Sequence, residues 1–306
     1  RSADQLVPSG AITVAEALVM LKQAASLPDV SGLRADLNAL SASQRPIGLP
    51  GEADAVQYLK QRFEEMGYSV TLQPYTDSQG QTGHNVVAVR QASSSDADIL
   101  VLSAHHDSVP TTYGANDNAS GVAALLYVAD ALKDIETDTE LRFISFTDEE
   151  NGKQGSRAYT ASLTEAEKSR MIGDIQFDML GGLGAAGALV CTMDGEPNWV
   201  SDLLQTQAPG LERRAETASD HASFQLAGVP SVLLTQDGQG YLYHWAADTA
   251  DQLDLYAIAR AADIAVAAAE EICSPATASY QSLAQLQGDG YTYRQTRQNV
   301  IYFSSS

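Results

Sequence analysis

Asp98-Ile99-Leu100-Val101-Leu102-Ser103-Ala104 runs straight into His105-His106-Asp107-Ser108. The first seven residues form a nearly continuous apolar run, the pattern of a strand buried on both faces of a sheet. The polar cluster begins where that strand ends. Side chains two apart on a strand point the same way, so His105 and Asp107 face one site and His106 faces the other side.

The chain alternates outward from this strand. Ser120 to Lys133 reads as an Ala/Leu/Val helix, and Leu141 to Thr147, Asp174 to Leu180, Ala188 to Met193 and Val229 to Thr235 read as strands. Leu253 to Cys273 is a long Ala-rich helix. On the amino-terminal side, Asp54 to Met66 carries Ala55, Leu59, Phe63 and Met66 at helical spacing, and Gly67 ends it. Residues 13–26 also read as a helix. Ser69 to Tyr75 and Asn85 to Arg90 read as strands around a polar turn. Alternating strands and helices predict an α/β fold, a three-layer α/β/α sandwich with a mixed, largely parallel central β-sheet. Sites in such sheets lie beyond the carboxyl ends of the strands. Residues 1–273 are read as the catalytic domain. From Ser274 to Ser306 the chain turns rich in Gln, Ser and Tyr, with one β-like stretch from Tyr291 to Phe303, and is read as a tail or the start of a further module.

Composition narrows the function. Of 306 residues, 44% are hydrophobic and 19% charged, enough to bury a core. The formal net charge is −21, which repels phosphate backbones and excludes nucleic acid as an expected partner. The same acidity favours metal ions and free amines. No run of about 18 apolar residues exists, so no membrane-spanning helix is expected. The chain starts at Arg1, as a mature or trimmed chain would, and strong acidity with few lysines suits secretion. A monomer is expected. The two cysteines, Cys191 and Cys273, leave one disulfide open.

Five segments carry the chemistry. The His105–Asp107 triplet suits a zinc ligand with a supporting carboxylate, although a histidine at a strand end is more often only hydrogen-bonded. Asn116-Asp117-Asn118-Ala119-Ser120-Gly121 precedes an apolar helix; it is either a plain helix cap or the seat of a carboxylate, Asp117, that bridges two metals. Thr147-Asp148-Glu149-Glu150-Asn151-Gly152 follows a strand, where neighbouring side chains diverge. One carboxylate can then bind metal while the other faces substrate. Asp178 in Phe177-Asp178-Met179-Leu180 is an acid among apolar residues and needs a cationic partner, an arginine or a metal. Tyr243-His244, with Trp245 and Asp248 following, is the fifth. Jointly, two histidines and three carboxylates make a ligand set for a pair of divalent ions such as zinc.

Across about Leu40 to Cys273 the chain resembles the bacterial leucyl aminopeptidases, a family of secreted di-zinc peptidases. The resemblance covers the approach segment Arg45-Pro46-Ile47-Gly48-Leu49-Pro50-Gly51-Glu52 and all five motifs in order. It implies that His105 and Asp178 bind one zinc, that Glu150 and His244 bind the other, and that Asp117 bridges them. It makes Asp107 the support of His105, Glu149 the general base and Tyr243 a donor to the oxyanion. It also implies a cis peptide bond between Asp117 and Asn118. The substrates it implies are peptides with a free N-terminus, cleaved after a large apolar residue.

There are departures. Ser219-Asp220-His221-Ala222-Ser223-Phe224 is similar to a family stretch near the active site whose Asp and His are not ligands, but Ala218 stands where some relatives carry a substrate-holding arginine. Leu242 and Trp245 flank the Tyr-His pair where some relatives have cysteines. The remaining histidines, His84, His106 and His221, are not expected to bind the catalytic metal. Three rivals stay open, each weakened by particular residues. A one-zinc glutaminyl cyclase shares the fold, but the Asn116–Gly121 segment looks like the peptidases. A catalytically dead binding protein would have lost ligands. A carboxypeptidase needs cations such as Lys153, Arg157 or Arg213 near the site, in a chain with 18 Lys and Arg.

Overall fold

The computed structural model describes residues 28–238 and 242–274, together with two strand segments, 291–295 and 301–305. The helix expected over residues 13–26 lies outside the described residues.

An eight-stranded mixed sheet runs in the order β1-β2-β4-β3-β5-β8-β6-β7. Its strands are β1 (Ser69–Thr76), β2 (Thr82–Arg90), β3 (Ile99–His105), β4 (Glu140–Phe146), β5 (Met171–Phe177), β6 (Ala188–Thr192), β7 (Glu212–Ala215) and β8 (Ser231–Gln236). The four central strands, β4, β3, β5 and β8, are mutually parallel. The β1–β2 hairpin joins one edge antiparallel, through β2 on β4, and β6 joins the other antiparallel to β8. The opening run is the centre of this sheet: every residue of β3 is buried. Its alternation divides the core in two. Leu100, Leu102 and Ala104 enter the larger apolar cluster, while Ile99 and Val101 enter a second cluster on the opposite face.

Helices cover both faces, as the alternation predicted. The larger cluster takes α1 (Ser31–Leu40), α2 (Pro50–Glu65), α3 (Ser120–Leu132), α6 (Trp199–Gln207) and α8 (Leu255–Cys273). Tyr159 of α4 (Gln154–Ser162) and Phe224 of α7 (His221–Leu226) close over the other face, and the short α5 (Glu165–Arg170) leads into β5. Pro50 sits at the first turn of α2, where a missing N–H is no loss, so that helix starts four residues before the apolar periodicity shows it. The strand expected from Asp174 starts at Met171 instead and ends at Phe177, leaving Asp178 just beyond it. The β-like stretch after Tyr291 is two strands, β9 (Tyr291–Gln295) and β10 (Ile301–Ser305), paired antiparallel. Cys191 and Cys273 are both buried and free, so the disulfide left open by the sequence is not formed.

Candidate metal centre

The four parallel strands deliver the candidate ligands to one edge. His105 is the last residue of β3, Asp178 follows β5, Glu149 and Glu150 follow β4, and His244 follows β8. Asp117 lies in a turn, Ala115–Ala119, between β3 and α3. Its peptide bond to Asn118 is cis, as the resemblance implied. The turn is stitched to the loop after β5. Asn118 Nδ2 donates to the Phe177 carbonyl at 2.9 Å, Gly181 N donates to Asn116 Oδ1 at 2.9 Å, and Leu180 N donates to Ser120 Oγ at 3.0 Å. Asn118 Oδ1 also accepts the Gly121 N–H, so the helix-cap reading of this segment holds together with the site reading. A Cβ at Gly121 would overlap both Asn118 and the Phe177 carbonyl, which is why that position is glycine.

Two groups of metal-ligating atoms converge, His105-Asp117-Asp178 and Asp117-Glu150-His244. Asp117 belongs to both. Its Oδ1 lies 3.4 Å from His105 Nε2, and its Oδ2 lies 3.1 Å from His244 Nε2. Asp178 Oδ1 is 3.4 Å from His105 Nε2, and Glu150 Oε2 is 3.1 Å from His244 Nε2. The partner that Asp178 needs is therefore this cluster: among the described residues no arginine or lysine pairs with it. His105 Nε2, Asp178 Oδ1, Glu150 Oε1 and His244 Nε2 are buried without a hydrogen-bond partner among the described residues. Buried polar atoms are rarely left so, and one cation in each group would satisfy them. The donor set fits a pair of divalent ions. His84, His106 and His221 belong to neither group.

Asp107 fixes the geometry. Its Oδ1 lies 3.3 Å from His105 Nδ1 and accepts the Glu149 N–H at 3.0 Å, while its Oδ2 accepts the Glu150 N–H at 3.1 Å. One carboxylate thus orients the first histidine and the backbone of both glutamates. Glu150 turns to His244, and Glu149 lines the adjoining cavity without joining either group. His106 faces away, as the strand alternation predicted, bonded to Ser145 and within 3.5 Å of Glu52.

The electrostatics are those of a crowded buried acid. Burial, reinforced by Asp117, pushes the Glu150 carboxyl up to about 9. Burial also raises Glu149 and Asp178, with neighbouring carboxylates adding to both. Asp117 goes the other way: burial opposes it, but hydrogen bonds and charge from His105 and His244 hold it at about 2. Burial works against a charged His105, yet the carboxylates around it raise its pKa well above the ordinary value. Without cations, the cluster holds protons instead.

Two positioning residues carry little signal in the sequence. Arg45 is fully buried and donates to the carbonyls of Leu40, His106, Tyr113 and Gly114, tying the approach segment to the loop before Asp117. Asp248 accepts the Asn116 N–H at 2.7 Å and the Asp117 N–H at 3.1 Å. Arg45 stands in the approach segment that the resemblance covers, and Asp248 follows the Tyr243-His244 pair, but neither sequence context says which backbone groups they hold. Ser219 donates to Asp178 Oδ2 at 2.6 Å.

A cavity of about 240 Å³ opens beside the cluster. Glu149, Glu150, Asp117 and Asp178 form its acidic end, and Met179, Leu189, Cys191 and Leu233 its apolar floor. Leu189, Cys191 and Leu233 form a small apolar cluster separate from the main core. Cys191 and Leu233 are register partners on β6 and β8, which is why they share a face. Tyr243 lines the cavity and stacks on His244, ring centroids 3.7 Å apart.

Two groups of candidate metal ligands thus meet at the carboxyl edge of an α/β sheet. The chain belongs to peptidase family M28, whose model matches residues 85–269. It is 33% identical over 205 residues to aminopeptidase YwaD of Bacillus subtilis, a match covering 62% of this chain and 45% of that protein. The matched region thus spans about half the length of that curated relative. An aminopeptidase from Aneurinibacillus sp. strain AM-1 superposes with a TM-score of 0.75 at 26% identity, over 79% of this chain and 93% of that one. BSAP, a zinc aminopeptidase from Bacillus subtilis, shares the fold with a TM-score of 0.76 at 19–20% identity, over 80% and 95–96% of the two chains.

Proposed function

We propose that the chain is a two-zinc aminopeptidase that removes an apolar N-terminal residue from peptides, with Glu149 as general base. The observation that carries this reading is Asp117, whose two carboxylate oxygens face two different histidines, 3.4 Å from His105 and 3.1 Å from His244. His105 and Asp178 would hold one ion, and Glu150 and His244 the other. Each group offers one imidazole nitrogen and two carboxylates, with Asp117 shared, a donor set that suits zinc. Two ions bound there would lower the pKa of a water and polarise the carbonyl under attack.

The protein's own groups do the rest. Glu149 is held through its backbone by Asp107 and leaves both ligand groups free. It takes the proton of the attacking water and passes it to the leaving amine. The Tyr243 phenol is pushed up by burial and by the nearby carboxylates, so it stays protonated and able to donate to the developing oxyanion.

Substrate polarity follows from the cavity. Its acidic end suits a free α-ammonium, and its Leu189, Cys191 and Leu233 floor suits an apolar side chain. The cation on its wall, Arg214, is committed to Asp237 at 2.6 Å and Glu212 at 2.9 Å, which leaves it poorly placed to hold the free carboxylate a carboxypeptidase needs. Two ligand groups rather than one favour the peptidase over a one-zinc cyclase. The acidic, lysine-poor composition supports secretion. The test is direct. The zinc-loaded protein should carry two zinc ions per chain by elemental analysis and cleave leucyl peptides but not their N-acetyl forms. Equal kcat/KM for the acetylated and free peptides would sink the aminopeptidase reading.

A further inference from the structure

Among the described residues, six large apolar side chains are exposed, and the three aromatic ones, Tyr113, Tyr243 and Trp245, lie on the two loops beside the metal centre. Trp245 is 68% exposed. A tryptophan left in water next to a binding cavity is the kind of residue that anchors a ligand. The two loops are fixed rather than loose. Thr111 Oγ1 donates to the His244 carbonyl at 3.4 Å, Ala115 N donates to the Asp248 carbonyl at 3.4 Å, and Asp248 N donates to the Trp245 carbonyl at 2.9 Å. Arg45 Nη1 holds the Tyr113 carbonyl at 2.7 Å.

The path of a substrate can be argued from exposure. The cavity that suits the N-terminal residue is lined by Tyr243 but by neither Tyr113 nor Trp245. Of the five candidate ligand side chains, His244 is the open one, at 34% exposure, against 1% for His105 and 5% for Asp117. A peptide whose first residue fills the cavity and whose scissile bond lies over the cluster therefore leaves past His244. Trp245 follows His244 in the chain, and the Tyr113 loop is bonded to the same carbonyl. Tyr243 already has a face occupied by the His244 ring, which leaves Trp245 and Tyr113 for the departing chain.

We propose that Trp245, with Tyr113, forms the subsite for the side chain just after the cleaved bond, and that the enzyme prefers peptides with an aromatic or large apolar second residue. This rests on the aminopeptidase reading. The experiment compares kcat/KM for leucinamide, leucyl-glycine and leucyl-phenylalanine with the zinc-loaded full chain. Leucyl-phenylalanine should exceed leucyl-glycine by about five- to tenfold, the size of one aromatic contact. Trp245→Ala should bring the two dipeptides level, Trp245→Phe should restore most of the preference, and Tyr113→Ala should reduce it in part. The readout is a ratio within each variant, so a general loss of activity cancels. Equal cleavage of both dipeptides by the wild type, or an undiminished preference in Trp245→Ala, overturns the subsite and leaves the aminopeptidase reading standing. Failure of the wild type to cleave leucinamide or either dipeptide sinks both.

Discussion

The two ligand groups share Asp117 but are built differently. The His105–Asp178 side is set by strand ends: β3 and β5 are adjacent and parallel, so their last residues emerge together. His105 is buried to 1% and clamped by Asp107, and Ser219 fixes Asp178. The Glu150–His244 side is set by loops. His244 adopts φ +60, is one-third exposed, and reaches Asp117 only because its loop folds back across the edge. A site made from strand ends inherits the rigidity of the sheet; a site made from a loop depends on the loop's own anchors, here Thr111 and Asp248.

The sharpest separation lies between the two adjacent glutamates. Glu149→Gln should keep both ions yet lower kcat by about 10²–10⁴-fold, because only its proton-accepting role is lost. Glu150→Gln should instead weaken metal binding at the loop side. Elemental analysis alongside steady-state kinetics reads both, and the reverse pattern would exchange the two roles.

A second test sets two acids of one strand face against each other. Asp174 lies on β5, four residues before Asp178, and among the described residues its carboxylate meets the hydroxyls of Ser103 at 2.8 Å and Ser231 at 2.6 Å. Burial pushes it up to about 7. A raised carboxyl binds its proton more tightly in the folded state, so its contribution to stability is present below about 4 and lost as pH rises through about 7. Relative to Asp174→Asn, the wild type should lose on the order of 4 kcal/mol across that window, at most, in urea unfolding at each pH. A flat difference between pH 4 and 8 would mean that Asp174 is ionised in place.

Smaller effects should come from the supports. Asp107→Asn keeps the shape but weakens its hold on His105 and on the Glu149 and Glu150 N–H groups. It should lower metal affinity about 10–100-fold, the usual effect of such outer partners. Asp248→Asn should act in the same range or below, through the Asn116–Asp117 backbone. Last, a chelator titration should remove zinc in two steps, severalfold apart in chelator concentration, with the loop-side ion leaving first. His244→Ala should abolish the first step and keep the second. Simultaneous loss of both ions from the wild type would show that Asp117 couples the two sides too tightly for their difference in exposure to matter.

Legibility in the sequence follows the same divide. The β3 run, the α3 and α8 helices and the strand-end motifs were readable because burial on both faces and helical periodicity are local patterns. Short elements were not: α5 and α7 have six residues each and β7 has four, too few for a period to show. Asp248 and Arg45 stood in flagged segments, but their hydrogen-bonding roles were unreadable because their partners lie far away in the chain. The five candidate ligands and Glu149 stood out only as a set, through the resemblance.

The sequence by itself determined that most of the candidate motifs fall at the ends of buried strands, because alternation and hydrophobic runs are set by neighbours in the chain; the role of each residue in them came from the resemblance. Only the tertiary structure decided that these ends meet. The order β4-β3-β5-β8 brings four separate loops to one edge, and that order comes from strand pairing and helix packing across the whole domain. The same is true of Asp117. Read along the chain it could be a cap or a bridging carboxylate; in the fold its two oxygens face histidines from β3 and from the loop after β8, because the Asn118 clamp to β5 and the Asp248 carboxylate hold its turn between them.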